Sequence, residues 1–190
     1  MRAAILLAAG ASRRFGSRDK LKAKLDGRSL LDHAIANARA SGARRIILVT
    51  NRPTCRPGTT NVRARRAREG LSASLAAGLA ALRPIEREVL IFLADMPFAR
   101  APQMRLVAGV DAVRPHFGGQ PGHPMLVRSA VAKSRLRRGD AGLARALCPR
   151  LVQGTVAHLL DVDTRDALHR LRLRGSGVLR RRSRPILSGR

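Results

Sequence analysis

The stretch EVLIFLAD, Glu88 to Asp95, decides the fold. Its continuous apolar run reads as a strand buried on both faces, the kind found in parallel sheets, and it ends directly on a carboxylate. Two similar runs lie upstream. AAILLA, from Ala3 to Ala8, enters an Ala-Gly loop, and RIILVT spans Arg45 to Thr50. Between them Ser29 is placed to cap a helix to about Ala40, with Leu30, Leu31, Ala34, Ile35 and Ala38 on one face and Ser41-Gly42 as its stop. Residues 51–61 read as loop and 61–64 as a short strand. Gly70-Leu71-Ser72 opens a helix over 72–82 that Pro84 ends. Beyond Asp95 the pattern predicts a helix over 102–110, a Gly/Pro-rich loop over 117–124 and a strand over 125–128. A helix over 141–147, a strand region over 151–160 and a last helix from Thr164 follow. Strands alternating with helices mean an α/β fold, with a mostly parallel sheet and helices on both faces. One domain is expected over 1–171, followed by a compositionally distinct basic tail, 172–190.

The chain as a whole narrows the function classes. Its 190 residues suit one substantial core, and 45% of them are hydrophobic, which excludes a disordered chain. Aromatics make up 2%, so the stacking platforms of single-strand binders are nearly missing. The net charge of +26 makes nucleic acid, membrane surfaces and small polyanions such as nucleotides plausible partners. Nearly all of that charge is Arg, as coding bias alone would produce, and the tail supplies seven Arg and no acid. Cys55 and Cys148 lack metal spacing and fit a reducing compartment. The N-terminal apolar run is too short for a signal peptide and no run approaches a membrane span, so a cytoplasmic protein is expected, with no membrane partner.

In such sheets ligands sit at the carboxyl ends of the strands. Four segments there could carry chemistry. LAAGASRRFGSRDK, Leu7 to Lys20, places Gly10, Ser12 and Gly16 among Arg13, Arg14, Arg18 and Lys20. Small residues let backbone N–H groups approach an anion that the cations neutralise, so a polyphosphate is its natural occupant. It is neither a Walker loop nor a dinucleotide fingerprint, and a plain basic surface loop has the same composition. Asp95 is one of only twelve acidic residues and ends the most hydrophobic strand. It is costly there unless paired or metal-bound, although a turn Asp before Met96-Pro97 is the bland alternative. Asp161, Asp163 and Asp166 cluster, and the first two share a face if extended; capping of the last helix by Asp163 or Thr164 explains them equally. Gly118 to Pro124, GGQPGHP, suits a substrate-shaping loop, although a lone His is more often structural.

Together these segments resemble the nucleotidyltransferases that build molybdenum cofactor dinucleotides. LAAGASRRFG resembles their LAAGxSxRxG signature, and Lys20 their next lysine. Gly70 to Leu75, Leu93 to Pro97, Gly119 to Pro124 and Gly139 to Gly142 resemble their GLSxSL, LADMP, GxxGHP and GDxG segments. Asp161, Asp163 and Thr164 resemble the start of DxDTxxD, although this chain's last Asp, Asp166, directly follows Arg165. The resemblance covers about 1–171. It implies a Rossmann-like three-layer fold, similar to nucleotide-diphospho-sugar transferases, and transfer of a nucleoside monophosphate to molybdopterin with release of pyrophosphate. Leu7, Ala8, Ala9, Gly10, Ser12, Arg14, Gly16 and Lys20 would bind the nucleotide, with Gly70, Ser72 and Ser74 near base and ribose. Arg14, Lys20 and Asp95 would be catalytic, and Asp95 and Asp163 would hold Mg²⁺. Gly119, Gly122 and His123 would bind the acceptor. The cytidylyltransferase subgroup is most similar, which favours CTP over GTP, and a recipient molybdoenzyme or its chaperone is the implied protein partner. The chain departs from the pattern at Lys24, where Pro is frequent, at Ala144, where Arg is frequent, and in the tail.

Two rivals remain at this level. A basic nucleic-acid-binding protein explains the charge but not Asp95 or the acid cluster. A degenerate relative could bind a cofactor without catalysis; Arg14, Lys20 and Asp95 argue against it. A different phosphorylated acceptor is a third alternative within the same chemistry.

Overall fold

The computed structural model describes residues 1–10, 15, 19–136, 143 and 146–172. Among them an eight-stranded mixed sheet carries the fold. Its strands are β1 (Arg2–Ala8), β4 (Arg45–Thr50), β5 (Thr60–Arg63), β6 (Glu88–Leu93), β7 (Ala112–Phe117), β8 (Gln120–Pro121), β9 (Met125–Arg128) and β10 (Arg150–Gln153). The order is β10-β7-β9-β6-β1-β4-β5, with β8 paired to β7. β2 (Lys24–Leu25) and β3 (Arg28–Ser29) form a separate antiparallel hairpin. β1 pairs in parallel with both β4 and β6, so the chain winds outward first on one side of β1 and then on the other. β9 runs antiparallel to both β6 and β7.

The apolar runs are continuous because the central strands are covered on both faces. Ala3, Ile5 and Leu7 pack on one side with Leu75 and Leu79 of α2 (Leu71–Ala80) and Ala132 of α3 (Ser129–Arg135). Ala4, Leu6 and Ala8 pack on the other with Leu31, Ala34, Ile35 and Ala38 of α1 (Leu30–Ala40). This is the three-layer α/β arrangement expected. Ser29 caps α1 as the sequence reading requires, its hydroxyl accepting from the Asp32 N–H at 3.1 Å. A further helical stretch covers 165–172, and its Leu168 and Leu171 join Leu25, Leu30 and Val162 in a third apolar cluster.

Three expectations change. Residues 102–110 do not form a helix. Met104 is buried, with Leu106 and Val110 partly so, and the spacing is not helical. The backbone carbonyls there are taken by arginines instead: Arg128 Nη2 donates to Val107 O at 2.9 Å and Arg150 Nη2 to Arg105 O at 3.3 Å. The region 151–160 is a strand only to Gln153, then a 3₁₀ turn over Val156–His158. β7 was not anticipated, and it carries Pro115 within it. The helix expected over 141–147 and the tail 173–190 lie largely or wholly outside the described residues.

Candidate active site

The carboxyl ends of β1, β4, β5 and β6 surround an open cavity of about 1200 Å³. Leu7, Ala8, Ala9 and Gly10 form one wall, where β1 leaves the sheet. Gly70 stands at the start of α2 with φ 109°, a conformation that side chains disfavour. It turns the chain so that the helix N-terminus opens on the cavity beside Leu71 and Ser74, and the dipole of the helix favours an anion there. Ser72 is buried but does not line the cavity.

Lys20 sits in a 3₁₀ turn over Lys20–Lys22 that Asp19 caps, its carboxylate accepting from the Leu21 N–H at 3.0 Å. The lysine is only 8% exposed. Its Nζ donates to Asp95 Oδ2 at 2.9 Å and to Asp163 Oδ1 at 2.8 Å. Burial opposes the ammonium, but Asp95 and Asp163 outweigh it and hold the Lys20 pKa above the ordinary lysine value.

Asp95 lies two residues past the end of β6, and its backbone carbonyl accepts from the Val162 N–H at 2.9 Å. Val162 is fully buried, so Asp161 and Asp163 on either side of it both face the cavity. Asp163, not Asp161, meets Lys20. Burial, then the charges of Asp163 and Asp95, push the Asp161 pKa up. Two carboxylates therefore share one ammonium, with the Asp161 carboxyl near enough to feel their charge. Asp95 and Asp163 already converge on a single positive charge and fit a divalent metal. Among the described residues no group of three or more His, Cys, Asp or Glu forms a ready-made cage. Mg²⁺ does not need one, since it uses one or two carboxylates together with phosphate oxygens.

More of the lining comes from the segments that follow β4 and β5, where strand-end position in the sequence points to the residues from Asn51 onward. Arg52, Arg63, Arg65 and Arg68 all line the cavity with Asn51. Arg52 follows the end of β4 and Arg63 ends β5, so strand-end position points to this segment, although none of its arginines is named as a site residue from the sequence. Ser12, Arg14 and Gly16 lie outside the described residues. Gly119, Gly122 and His123 do not line this cavity. They belong to the β7–β9 connection, which reaches the carboxyl end of β6: His123 Nδ1 is 3.5 Å from the Ile91 carbonyl.

The family of MobA-like NTP transferase domains matches residues 4–156. The chain belongs to that family. It is accordingly a nucleotidyltransferase, with its Lys20–Asp95–Asp163 cluster at the strand ends. Solved structures agree on the fold. Rv0371c from Mycobacterium tuberculosis H37Rv is 25% identical with a TM-score of 0.74, over 90% of this chain and 97% of that one. The same protein in complex with manganese is 22% identical at a TM-score of 0.64, over 94% and 98%. A nucleotidyl transferase from Methanothermobacter, Mth528, is 18% identical at 0.74, over 95% and 99%. A 4-diphosphocytidyl-2C-methyl-D-erythritol synthase from Anaerococcus prevotii DSM 20548 is 15% identical at 0.71, over 91% and 97%. No curated protein matches significantly. Among the described residues no helix is long and apolar enough to cross a membrane.

Proposed function

We propose that this nucleotidyltransferase moves CMP from CTP to molybdopterin, releasing pyrophosphate, with Mg²⁺ bound by Asp95 and Asp163. The observation that carries the reading is Lys20 held between those two carboxylates at the mouth of a cation-rich cavity. The acceptor phosphate oxygen attacks the α-phosphorus, and the bond to the β-phosphate oxygen breaks. An ionised phosphate needs no general base. The protein's task is positioning and charge neutralisation. Lys20 neutralises charge growing at the α-phosphoryl group. The β1 loop, with Arg14, and the α2 N-terminus receive the triphosphate and ribose. Mg²⁺ would supply Lewis-acid neutralisation of the phosphate oxygens. Support for cytidine comes from the LAAG and GLS segments. The Anaerococcus neighbour, whose name denotes a cytidyl product, shares the fold.

The test is a thermal-shift comparison of the four NTPs with Mg²⁺. At a hundredfold excess over Kd, binding adds about 2.7 kcal/mol, roughly 5–10 °C for a chain this size. CTP is expected to give the largest shift. A larger shift with GTP would reassign the nucleotide, and no shift with any NTP would overturn the proposal.

A further inference from the structure

One short segment holds both ends of the stretch from Phe15 to Lys20. Asp163 Oδ1 accepts from Lys20 Nζ at 2.8 Å. Just beyond it, Arg165 Nε donates to the Phe15 carbonyl at 3.2 Å, across 150 positions of chain. Phe15 belongs to the LAAGASRRFG stretch that follows β1. It is only 5% exposed and sits in the third apolar cluster with Leu25, Leu30, Val162, Leu168 and Leu171. Phe98, which follows the Asp95-Met96-Pro97 turn, packs against the same cluster. The cluster therefore joins the far end of the proposed triphosphate loop, the segment carrying Asp163 and the chain just past Asp95.

Arg165 opens the helical stretch 165–172. Thr164 sets the start of that helix, its hydroxyl accepting from the Ala167 N–H at 3.0 Å. A cation in the first turn is opposed by the helix dipole, so the arginine does not serve the helix itself. It is exposed, no ion pair holds it among the described residues, and it does not line the nucleotide cavity. One hydrogen bond from an exposed side chain adds little to global stability. Its consequence is local, in where the Phe15 peptide sits. Arg172, at the other end of the same helix, makes a similar contact elsewhere. Its Nε and Nη2 donate to the Lys24 carbonyl at 3.1 and 2.6 Å, on the β2–β3 hairpin.

We propose that Arg165 is a positioning residue for nucleotide binding, fixing the Phe15 peptide at the spacing from Lys20 that the nucleotide requires. The inference rests on the nucleotidyl-transfer reading of the cavity. Asp163 and Arg165 are separated only by Thr164, so the grip on Lys20 and the grip on Phe15 are set together. The loop end is thereby held against the ammonium before the nucleotide arrives. Without the Arg165 bond only a fraction of molecules present that arrangement, and the apparent affinity falls by the same fraction.

The test is calorimetric titration of the full chain with each of the four NTPs and Mg²⁺ at physiological ionic strength. Arg165→Met keeps the apolar stem and removes the donor. It should bind the preferred NTP about three- to tenfold more weakly, the loss of one hydrogen bond, while Tm falls by no more than about 4 °C. Arg165→Lys retains a donor and should recover most of the affinity. Arg172→Met should bind as the unmodified chain does. Unchanged affinity in Arg165→Met would overturn the proposal. So would an equal loss in Arg172→Met, because loosened docking of the helix would then be the cause. Failure of the unmodified chain to bind any NTP would instead overturn the nucleotide reading, and the role of Arg165 with it.

Discussion

Asp95→Ala is expected to lower metal-dependent pyrophosphate release by at least about a thousandfold, read in a coupled pyrophosphate assay at saturating CTP and acceptor. The size follows from several kcal/mol of charge stabilisation that a correctly held dication supplies. Asp95 is fixed by two independent constraints. Its peptide lies two residues past β6, and its carbonyl accepts from Val162, which anchors the segment carrying Asp163. Its side chain also holds Lys20. Removing it therefore disturbs both the proposed metal ligand and the orientation of the lysine. Asp95→Asn keeps the shape and a hydrogen-bond acceptor but not the charge, so it should be nearly as inactive while melting close to the unmodified protein. Retained turnover in either folded variant would remove Asp95 from the metal site.

Glu86→Ala is expected to destabilise the fold by about 3–5 kcal/mol, a fall in Tm of roughly 6–20 °C by calorimetry. Glu86 lies at the amino end of the sheet, far from the chemistry. Its carboxylate is 3% exposed and accepts from Arg45 Nε and Nη2, both at 2.7 Å. The Arg83 N–H donates to it at 2.7 Å, and Arg45 Nη2 also reaches the Ala81 carbonyl at 2.6 Å. Truncation would leave the mostly buried Arg45 without its counter-charge. The same contact gives a pH dependence. Hydrogen bonding from Arg45 is the main cause, and with the Arg83 N–H it outweighs burial, so the Glu86 pKa is lowered from its ordinary 4.5. The unfolded chain then binds the proton more readily, so the stabilisation is full at neutral pH and is lost as pH falls below about 4.5. Glu86→Gln should show a shallower acid limb than the unmodified protein. An unchanged acid limb, or a Tm loss under 2 °C in Glu86→Ala, would show that the pair is not a structural anchor.

How much of this was legible depended on how local the signal was. Runs such as Ala3–Ala8 and Glu88–Leu93 announce two-sided burial through composition alone, and Ser29 announces its helix through one hydroxyl at the right place. β7 carries Pro115, whose missing N–H makes the segment a poor strand by composition, and the Pro115 carbonyl still accepts from the Gly122 N–H. The apolar residues of 102–110 suggested a helix, but arginines from β9 and β10 claimed their carbonyls.

The sequence by itself determined the alternating elements, the buried strands and the placing of Asp95 at a strand end, because periodicity, hydrophobicity and caps act over a few residues. Only the tertiary structure decided that Lys20 meets Asp163 across 143 positions, that Asp163 rather than Asp161 makes that contact, and that Arg52, Arg63, Arg65 and Arg68 line one cavity. Those relations follow from strand order and from the burial of Val162. They depend on which elements become neighbours, and no local pattern of residue types encodes that.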